Sequence, residues 1–116
     1  MNDDLSRYHH PIGGLLSGYP DLDPDRFLLT ADQVAFFHRH GYLAGIRVLD
    51  DAQVDALLRD LDEIADPAHP RHYLFYEFHS NESPDPARVL FHALGAWRLS
   101  PAFHDLLWHP AFVLPA

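Results

Sequence analysis

The sequence predicts a mainly helical α+β fold, and three local patterns carry that prediction. Two segments, 30–40 and 51–65, combine an N-terminal capping residue with an amphipathic run, which is typical of helices that bury one face. Between them lies a short stretch, 42–49, that is rich in Leu, Ile, Val and Tyr and predicts a strand. The expected order is therefore helix, strand, helix.

The first helix is predicted from the spacing of Thr30 and Gln33, which is that of a capping box. In this motif the hydroxyl accepts from the backbone N–H three residues on, and the glutamine side chain reaches back. Gly41 is placed to end the helix in the left-handed conformation. The predicted apolar stripe consists of Val34, Phe37 and Phe36.

The second helix, 51–65, has the clearest periodicity in the chain. Either Asp50 or Asp51 is expected to cap it. Its apolar side chains fall at steps of three and four, which places them on one buried face. They are Val54, Leu57, Leu58, Leu61, Ile64 and Ala65. In the strand that precedes it, Gly45 weakens the middle.

Three more elements are predicted in the second half of the chain. Residues 73–79 alternate as an extended strand would, with one fully apolar face. Residues 87–94 are interpreted as a short helix closed by Gly95, after a turn-rich segment. Ser100, followed by a helix-favouring proline, is expected to cap a last helix over 101–108.

Composition restricts the class of protein and its partners. A formal charge of −9 argues against a surface that binds the phosphates of nucleic acid. The chain has no cysteine, and no apolar run approaches the roughly 18 residues of a membrane span, so we expect a cytoplasmic protein without a disulfide framework. The domain organisation is interpreted as a loop-rich leader, 1–29, followed by one domain, 30–116. The leader residues expected to lie on the core are Leu15, Leu16, Tyr19, Phe27 and Leu28.

The segments 29–43 and 48–57 resemble the opening of phytanoyl-CoA dioxygenase family proteins, which is a capped helix, a Gly-Tyr turn into a strand, and a second helix. The later segments 90–98 and 100–107 resemble the helical region just before that family's catalytic jelly roll. The resemblance covers about residues 28–114. It implies the N-terminal helix-strand-helix portion of a double-stranded β-helix dioxygenase, with most of the jelly roll missing.

The resemblance also implies a chemistry. Members of the family use Fe(II) and 2-oxoglutarate, and the full-length enzyme is expected to hydroxylate an aliphatic carbon of a small-molecule substrate. The iron is held by a His-x-Asp/Glu pair and a distant His, but none of the ten histidines here has Asp or Glu two positions later. No residue of this chain is therefore expected to be catalytic, to hold iron or to bind the cofactor. With the apolar ending at 111–116, this favours an inactive N-terminal fragment of an oxidoreductase.

A second hypothesis comes from a different class of protein. The chain could be a free-standing, non-catalytic helical module that binds a partner through its apolar helix faces. For the dioxygenase hypothesis, the candidates for one wall of the substrate site are Phe75, Glu77, His79 and Arg98.

Several of these residues have two interpretations. His72, Glu77, His79 and Glu82 form the best local cluster of metal-ligand types, although ordinary surface histidines are the favoured interpretation and no metal ligand is predicted. The aromatic residues of segment 73–79 fit a core better than a substrate pocket. Arg98, beside a tryptophan, fits a packed side chain with a solvated tip better than a substrate contact.

Overall fold

The computed structural model describes residues 4–16 and 23–115. These residues form helices and one small sheet, which confirms a mainly helical α+β class. The elements are α1 (Ala31–His40), α2 (Asp51–Ile64), β1 (Glu77–His79), β2 (His92–Leu94), α3 (Pro101–Leu106) and α4 (Pro110–Val113). Short 3-10 helices cover Leu5–Arg7, Pro24–Phe27, His72–Leu74 and Ala96–Arg98. The expected core contact of Tyr19 falls outside the described residues.

The capping box predicted at Thr30 is present, and α2 begins with a second one that was not predicted. The Thr30 hydroxyl accepts from the Gln33 N–H at 3.1 Å, and the Gln33 side-chain oxygen accepts from the Thr30 N–H at 2.9 Å. Asp50 and Gln53 make the same exchange at 2.8 and 2.9 Å, so Asp50 is the cap of α2. Gly41 ends α1 in the left-handed conformation with φ 77°. Both helices therefore begin where side-chain chemistry predicted.

The strand predicted over residues 42–49 is wrong. This segment is irregular, and Gly45 within it adopts a left-handed φ of 82°, which no strand residue does. A strand is stable only when a neighbour satisfies its backbone N–H and C=O groups, and no other strand of the described residues pairs with this segment. Tyr42 and Ile46 are 57% and 40% exposed, so a β-favouring composition alone does not fold this segment into a sheet.

The helix predicted over residues 87–94 is also wrong, because its end forms β2. β2 pairs with β1 in an antiparallel hairpin, and the expected strand 73–79 is shortened to Glu77–His79. The first part of that segment forms the 3-10 helix His72–Leu74 instead. The paired positions are Glu77 with Leu94, Phe78 with Ala93, and His79 with His92.

A small core lies where the C-terminal end of α2 meets α3. Ile64, Leu74 and Leu99 are 2%, 5% and 0% exposed, and Phe75 and Phe103 pack against them. The predicted burial of Leu15 and Leu16 is confirmed, and Phe27 is half-buried against the ring of His109. Leu28 is 57% exposed, so its predicted core contact is wrong.

The last predicted helix is split in two. Ser100 caps α3 as expected, with its hydroxyl accepting from the Phe103 N–H at 3.1 Å. The helix ends at Leu106 rather than 108, and α4 follows after His109. The Ser100 hydroxyl also donates to the Asp60 carboxylate, which joins α3 to α2.

The leader is docked on α3. The buried Asp105 carboxylate accepts from the backbone N–H groups of Ile12 and Gly13, each at 2.7 Å. One ring nitrogen of His104 lies 2.9 Å from the carbonyl oxygen of Tyr8. A Cβ on Gly13 would lie 3.1 Å from an Asp105 oxygen, so the close approach favours glycine there. Residues 4–16 are therefore part of the fold.

Candidate functional site

Four ionisable side chains gather on one face of the β1–β2 hairpin: Glu77, His79, Glu82 and His92. Glu77 and His79 lie two residues apart on β1, so they point to the same side of the sheet. The strand register places His92 directly opposite His79, with ring centroids 5.8 Å apart. The four side chains are between 35% and 51% exposed. We call this group the hairpin cluster.

The loop between the two strands brings Glu82 into the hairpin cluster. The Glu82 N–H donates to the Leu90 carbonyl at 2.8 Å, which continues the pairing beyond the sheet. The side-chain oxygen of Asn81 accepts from the Ser83 and Leu90 N–H groups, both at 2.9 Å. These bonds close the loop, so Glu82 returns over the face that carries the two histidines.

The distances within the hairpin cluster are short. His79 Nε2 lies 2.9 Å from a Glu77 oxygen and 3.6 Å from a Glu82 oxygen. His92 faces the same two carboxylates, with Nε2 3.6 Å from Glu77 and Nδ1 3.8 Å from Glu82. Potential ligand atoms of Glu77, His79 and Glu82 lie within 4.8 Å of one another. Because two carboxylates this close repel each other, a bound cation would stabilise the arrangement.

His92 was not predicted as a member of this group. Its segment had been interpreted as a helix, in which no register could place it beside His79. The sequence signal that could have found it is a hairpin signature, with turn-forming residues over 80–86 followed by the β-favouring run 89–91. His92 Nε2 is buried and has no hydrogen-bond partner among the described residues.

The geometry excludes His72 from the hairpin cluster, although the sequence grouped it with Glu77, His79 and Glu82. Its ring packs edge-on against Phe75 and Phe78, at centroid distances of 5.3 and 4.4 Å. Phe78 lies on the face of β1 opposite to Glu77 and His79. His72 therefore belongs to the aromatic side of the hairpin, where Phe75 and Phe78 also contact each other.

The Arg98 side chain is held by contacts with other residues of the fold. Its Nε donates to Asp4 at 3.2 Å, its NH1 donates to the Leu74 carbonyl at 2.7 Å, and its guanidinium carbon lies 4.6 Å from the ring centroid of Tyr76. The guanidinium holds the pKa of Asp4 well below its usual range. This arrangement ties the leader to the segments that flank the hairpin on both sides, and gives Arg98 a packing role.

The four wall candidates are therefore not equivalent. Glu77 and His79 share the exposed face of β1, Phe75 packs against the core, and Arg98 pairs with Asp4. A contact between any of them and a substrate stays a prediction.

Two other histidines have local roles. Burial lowers the pKa of His109, whose Nδ1 accepts from the Ala111 N–H at 3.1 Å and caps α4. His104 is buried beside Asp105, with Nδ1 3.2 Å from the carboxylate. Both Asp105 oxygens already accept backbone N–H groups, so this pair stabilises the docked leader rather than forming an open site.

None of the helices in the described part of the chain combines the length and the apolar character that crossing a bilayer requires. Comparisons of the sequence with protein-family models and with curated proteins gave no match. Comparison of the fold with solved structures likewise gave no match.

Proposed function

We propose that this chain is the N-terminal part of an Fe(II)/2-oxoglutarate dioxygenase of the phytanoyl-CoA dioxygenase type, in which it packs against the catalytic jelly roll. The parent enzyme would hydroxylate an aliphatic carbon of a small-molecule substrate. The observation that carries the proposal is α1, a fully capped helix whose apolar face is uncovered.

The apolar face of α1 is exposed, as expected of a helix that docks on another layer of the protein. Val34, Phe36 and Phe37 are 40%, 37% and 49% exposed, and α1 contributes no buried residue. Helices shorter than about 12–15 residues are marginal in water, so a ten-residue helix depends on having its apolar face covered. The layer that the family resemblance implies for this face is a β-sheet.

The uncovered surface extends beyond α1. An open groove of about 520 Å³ runs between α1, the irregular segment after it and the C-terminal residues. Most of its lining is apolar, and it includes Leu29, Val34, Phe37, Leu43, Ile46 and Phe112. A contiguous apolar surface of this kind marks an interaction site more often than a solvated one.

The residues present do not fit the family's iron centre. That centre needs a His-x-Asp/Glu pair, and no histidine of the chain has an acidic residue two positions later. None of the described residues therefore takes a step in the hydroxylation. The contribution proposed for this chain is structural, as one side of the enzyme next to the sheet.

The test uses the product of the complete natural reading frame beside the 116-residue chain. We expect the complete product to convert 2-oxoglutarate to succinate in the presence of Fe(II), and the 116-residue chain to show no turnover. Phe37→Ser in the complete product should lower its melting temperature, because it removes an apolar side chain from the proposed contact. Arg39→Ser is the matched control, since it lies about 200° around the helix from Phe37.

Three results would contradict the proposal. They are a natural reading frame without a downstream His-x-Asp/Glu pair, turnover by the 116-residue chain alone, and equal melting temperatures for Phe37→Ser and Arg39→Ser.

The alternative, a helical module that binds a protein partner through the same groove, is favoured by one observation. The buried residues Ile64, Leu74 and Leu99 form a core within the described residues. This alternative predicts a natural stop codon after residue 116 and a sharp, cooperative melt of the isolated chain.

A further inference from the structure

We propose that the hairpin cluster, Glu77, His79, Glu82 and His92, binds one divalent first-row transition-metal ion. This site is separate from the iron centre of the parent enzyme, and the inference does not depend on the proposed function.

The spacing of the side chains matches a metal's coordination sphere. Nitrogen and oxygen ligands at about 2.0–2.1 Å from a tetrahedral ion lie about 3.4 Å from one another. His79 Nε2 lies 2.9 Å from Glu77 Oε1 and 3.6 Å from Glu82 Oε1, and ligand atoms of these three residues lie within 4.8 Å of one another. Small side-chain rotations are therefore enough to bring Glu77, His79 and Glu82 onto one ion. His92 faces the second oxygens of the same two carboxylates, at 3.6 and 3.8 Å, and a rotation of its ring would bring one nitrogen in as the fourth ligand.

The ligand types select the class of metal. Two imidazoles with two carboxylates suit Zn²⁺, Mn²⁺, Fe²⁺, Co²⁺ or Ni²⁺, whereas Mg²⁺ and Ca²⁺ prefer oxygen ligands alone. The two carboxylates also balance the charge of a divalent ion. Because the side chains are 35% to 51% exposed, an ion can enter without opening the fold.

The ligands are held by backbone structure rather than by one flexible loop. Glu77 and His79 are fixed by β1, and His92 is fixed by its pairing across the sheet. Glu82 is held by its backbone bond to Leu90 and by the Asn81 side chain, which bridges both sides of the loop. Asn81 is therefore a positioning residue that need not touch the ion.

An unpartnered nitrogen points to a missing ligand. His92 Nε2 is buried, has no hydrogen-bond partner in the described part of the chain, and stands 3.6 Å from a Glu77 oxygen. Buried polar atoms in native proteins are nearly always paired, so an ion between these two groups would satisfy both. The competing arrangement is direct contact between the imidazoles and carboxylates without any metal.

The experiment is a titration of the tag-free 116-residue chain with Zn²⁺ by calorimetry and with Co²⁺ by visible absorption. We expect one ion per chain and Co²⁺ bands in the visible region. His79→Gln and Glu82→Gln should each weaken Zn²⁺ binding by more than the roughly 10- to 100-fold that losing an outer partner of a ligand costs. Asn81→Ala, which keeps all four ligands, should weaken it by about 10-fold.

The matched control is the double variant His9→Gln/His10→Gln, which removes two adjacent exposed histidines outside the hairpin. Its Zn²⁺ affinity should equal that of the wild type. In wild-type protein, Zn²⁺ should shift the ring NMR signals of His79 and His92 and leave those of His72 unchanged. This measurement needs no variant and is independent of any folding defect.

The proposal is overturned by an absence of saturable Zn²⁺ binding in the wild type, by equal affinity in His79→Gln and wild type, or by Zn²⁺-induced shifts confined to His9 and His10. The first of these results is what the metal-free arrangement predicts.

Discussion

Helices α1 and α3 show how differently two well-capped helices are used in this chain. α1 has ten residues, a complete capping box and a left-handed glycine at its end, yet none of its residues is buried. α3 has only six residues, of which Ala102, His104 and Asp105 are buried. Caps fix where a helix begins and ends, but burial depends on what the rest of the chain brings to it.

The partners of the two helices explain the contrast. α3 receives long-range contacts, because Asp60 comes from α2 and the Ile12 and Gly13 N–H groups come from the leader. The aromatic contacts of α1 are local, since Phe36 meets only its neighbours His40 and Tyr42 among the described ring contacts. α3 is therefore held in the fold from several sides, whereas α1 presents a face to whatever covers it.

The largest expected effect is the difference in stability between two apolar truncations, one at Leu99 in the core and one at Phe37 on α1. Leu99→Ala, at a fully buried position, should lower the free energy of unfolding by about 4 kcal/mol. Phe37→Ala should cost less than about 1 kcal/mol, because the ring is 49% exposed. Urea unfolding of both variants measures the difference. Equal losses in the isolated chain would mean that α1 is packed as tightly as the core.

Substitution of Asp105 tests the polar contacts between α3 and the leader. Asp105→Ala removes the buried carboxylate that accepts from the Ile12 and Gly13 N–H groups, and should cost about 2–3 kcal/mol. Asp55→Ala, at an exposed position of α2, is the control and should change stability by less than about 0.5 kcal/mol. Thermal unfolding gives both values. A loss below about 1 kcal/mol for Asp105→Ala would show that the leader is not docked in solution.

The Asp4–Arg98 pair gives a pH-dependent test of the same docking. Because Arg98 depresses the folded-state pKa of Asp4, the pair stabilises the fold above the unfolded pKa, and this stability is lost as the pH falls through the folded pKa. Asp4→Asn should cost about 1–2 kcal/mol at pH 7, below the usual value for charged hydrogen bonds since the carboxylate is 30% exposed. The difference between the two proteins should shrink below about pH 4. A difference that is constant from pH 7 to pH 2 would contradict this assignment.

The sequence predicted what local chemistry determines. The capping box at Thr30, the stop at Gly41 and the cap at Ser100 appear where they were expected, and Asp50 is the cap of α2 among the two candidates. Each depends on side chains within four residues of the helix end, so one sequence is enough to recognise it. The predicted buried face of α2 is only partly present: Ile64 is buried in the core, whereas Val54 and Leu58 are 41% and 54% exposed.

The errors concern pairing between distant residues. Segment 42–49 has strand composition but no partner, and segment 87–94 looked helical until its pairing with β1 was known. The same error hid His92 from the candidate site, because strand register, which a local pattern does not encode, places it beside His79. The docking of Asp105 on the leader spans more than 90 residues and was equally unpredictable.

The smallest expected effects come from two N-cap substitutions, which distinguish local opening of α1 from global unfolding of the chain. Thr30→Ala and Asp50→Ala each remove an N-cap side chain and should cost roughly 0.5–1 kcal/mol. Since α1 has no buried residue, it should open without global unfolding, and Thr30→Ala should reduce hydrogen-exchange protection only for α1 amides. Asp50→Ala should lower the global unfolding free energy, because α2 ends in the core at Ile64. If Thr30→Ala lowers protection throughout the chain by the same amount, α1 unfolds together with the core. In that case α1, including its uncovered face, and the core would form one cooperative unfolding unit.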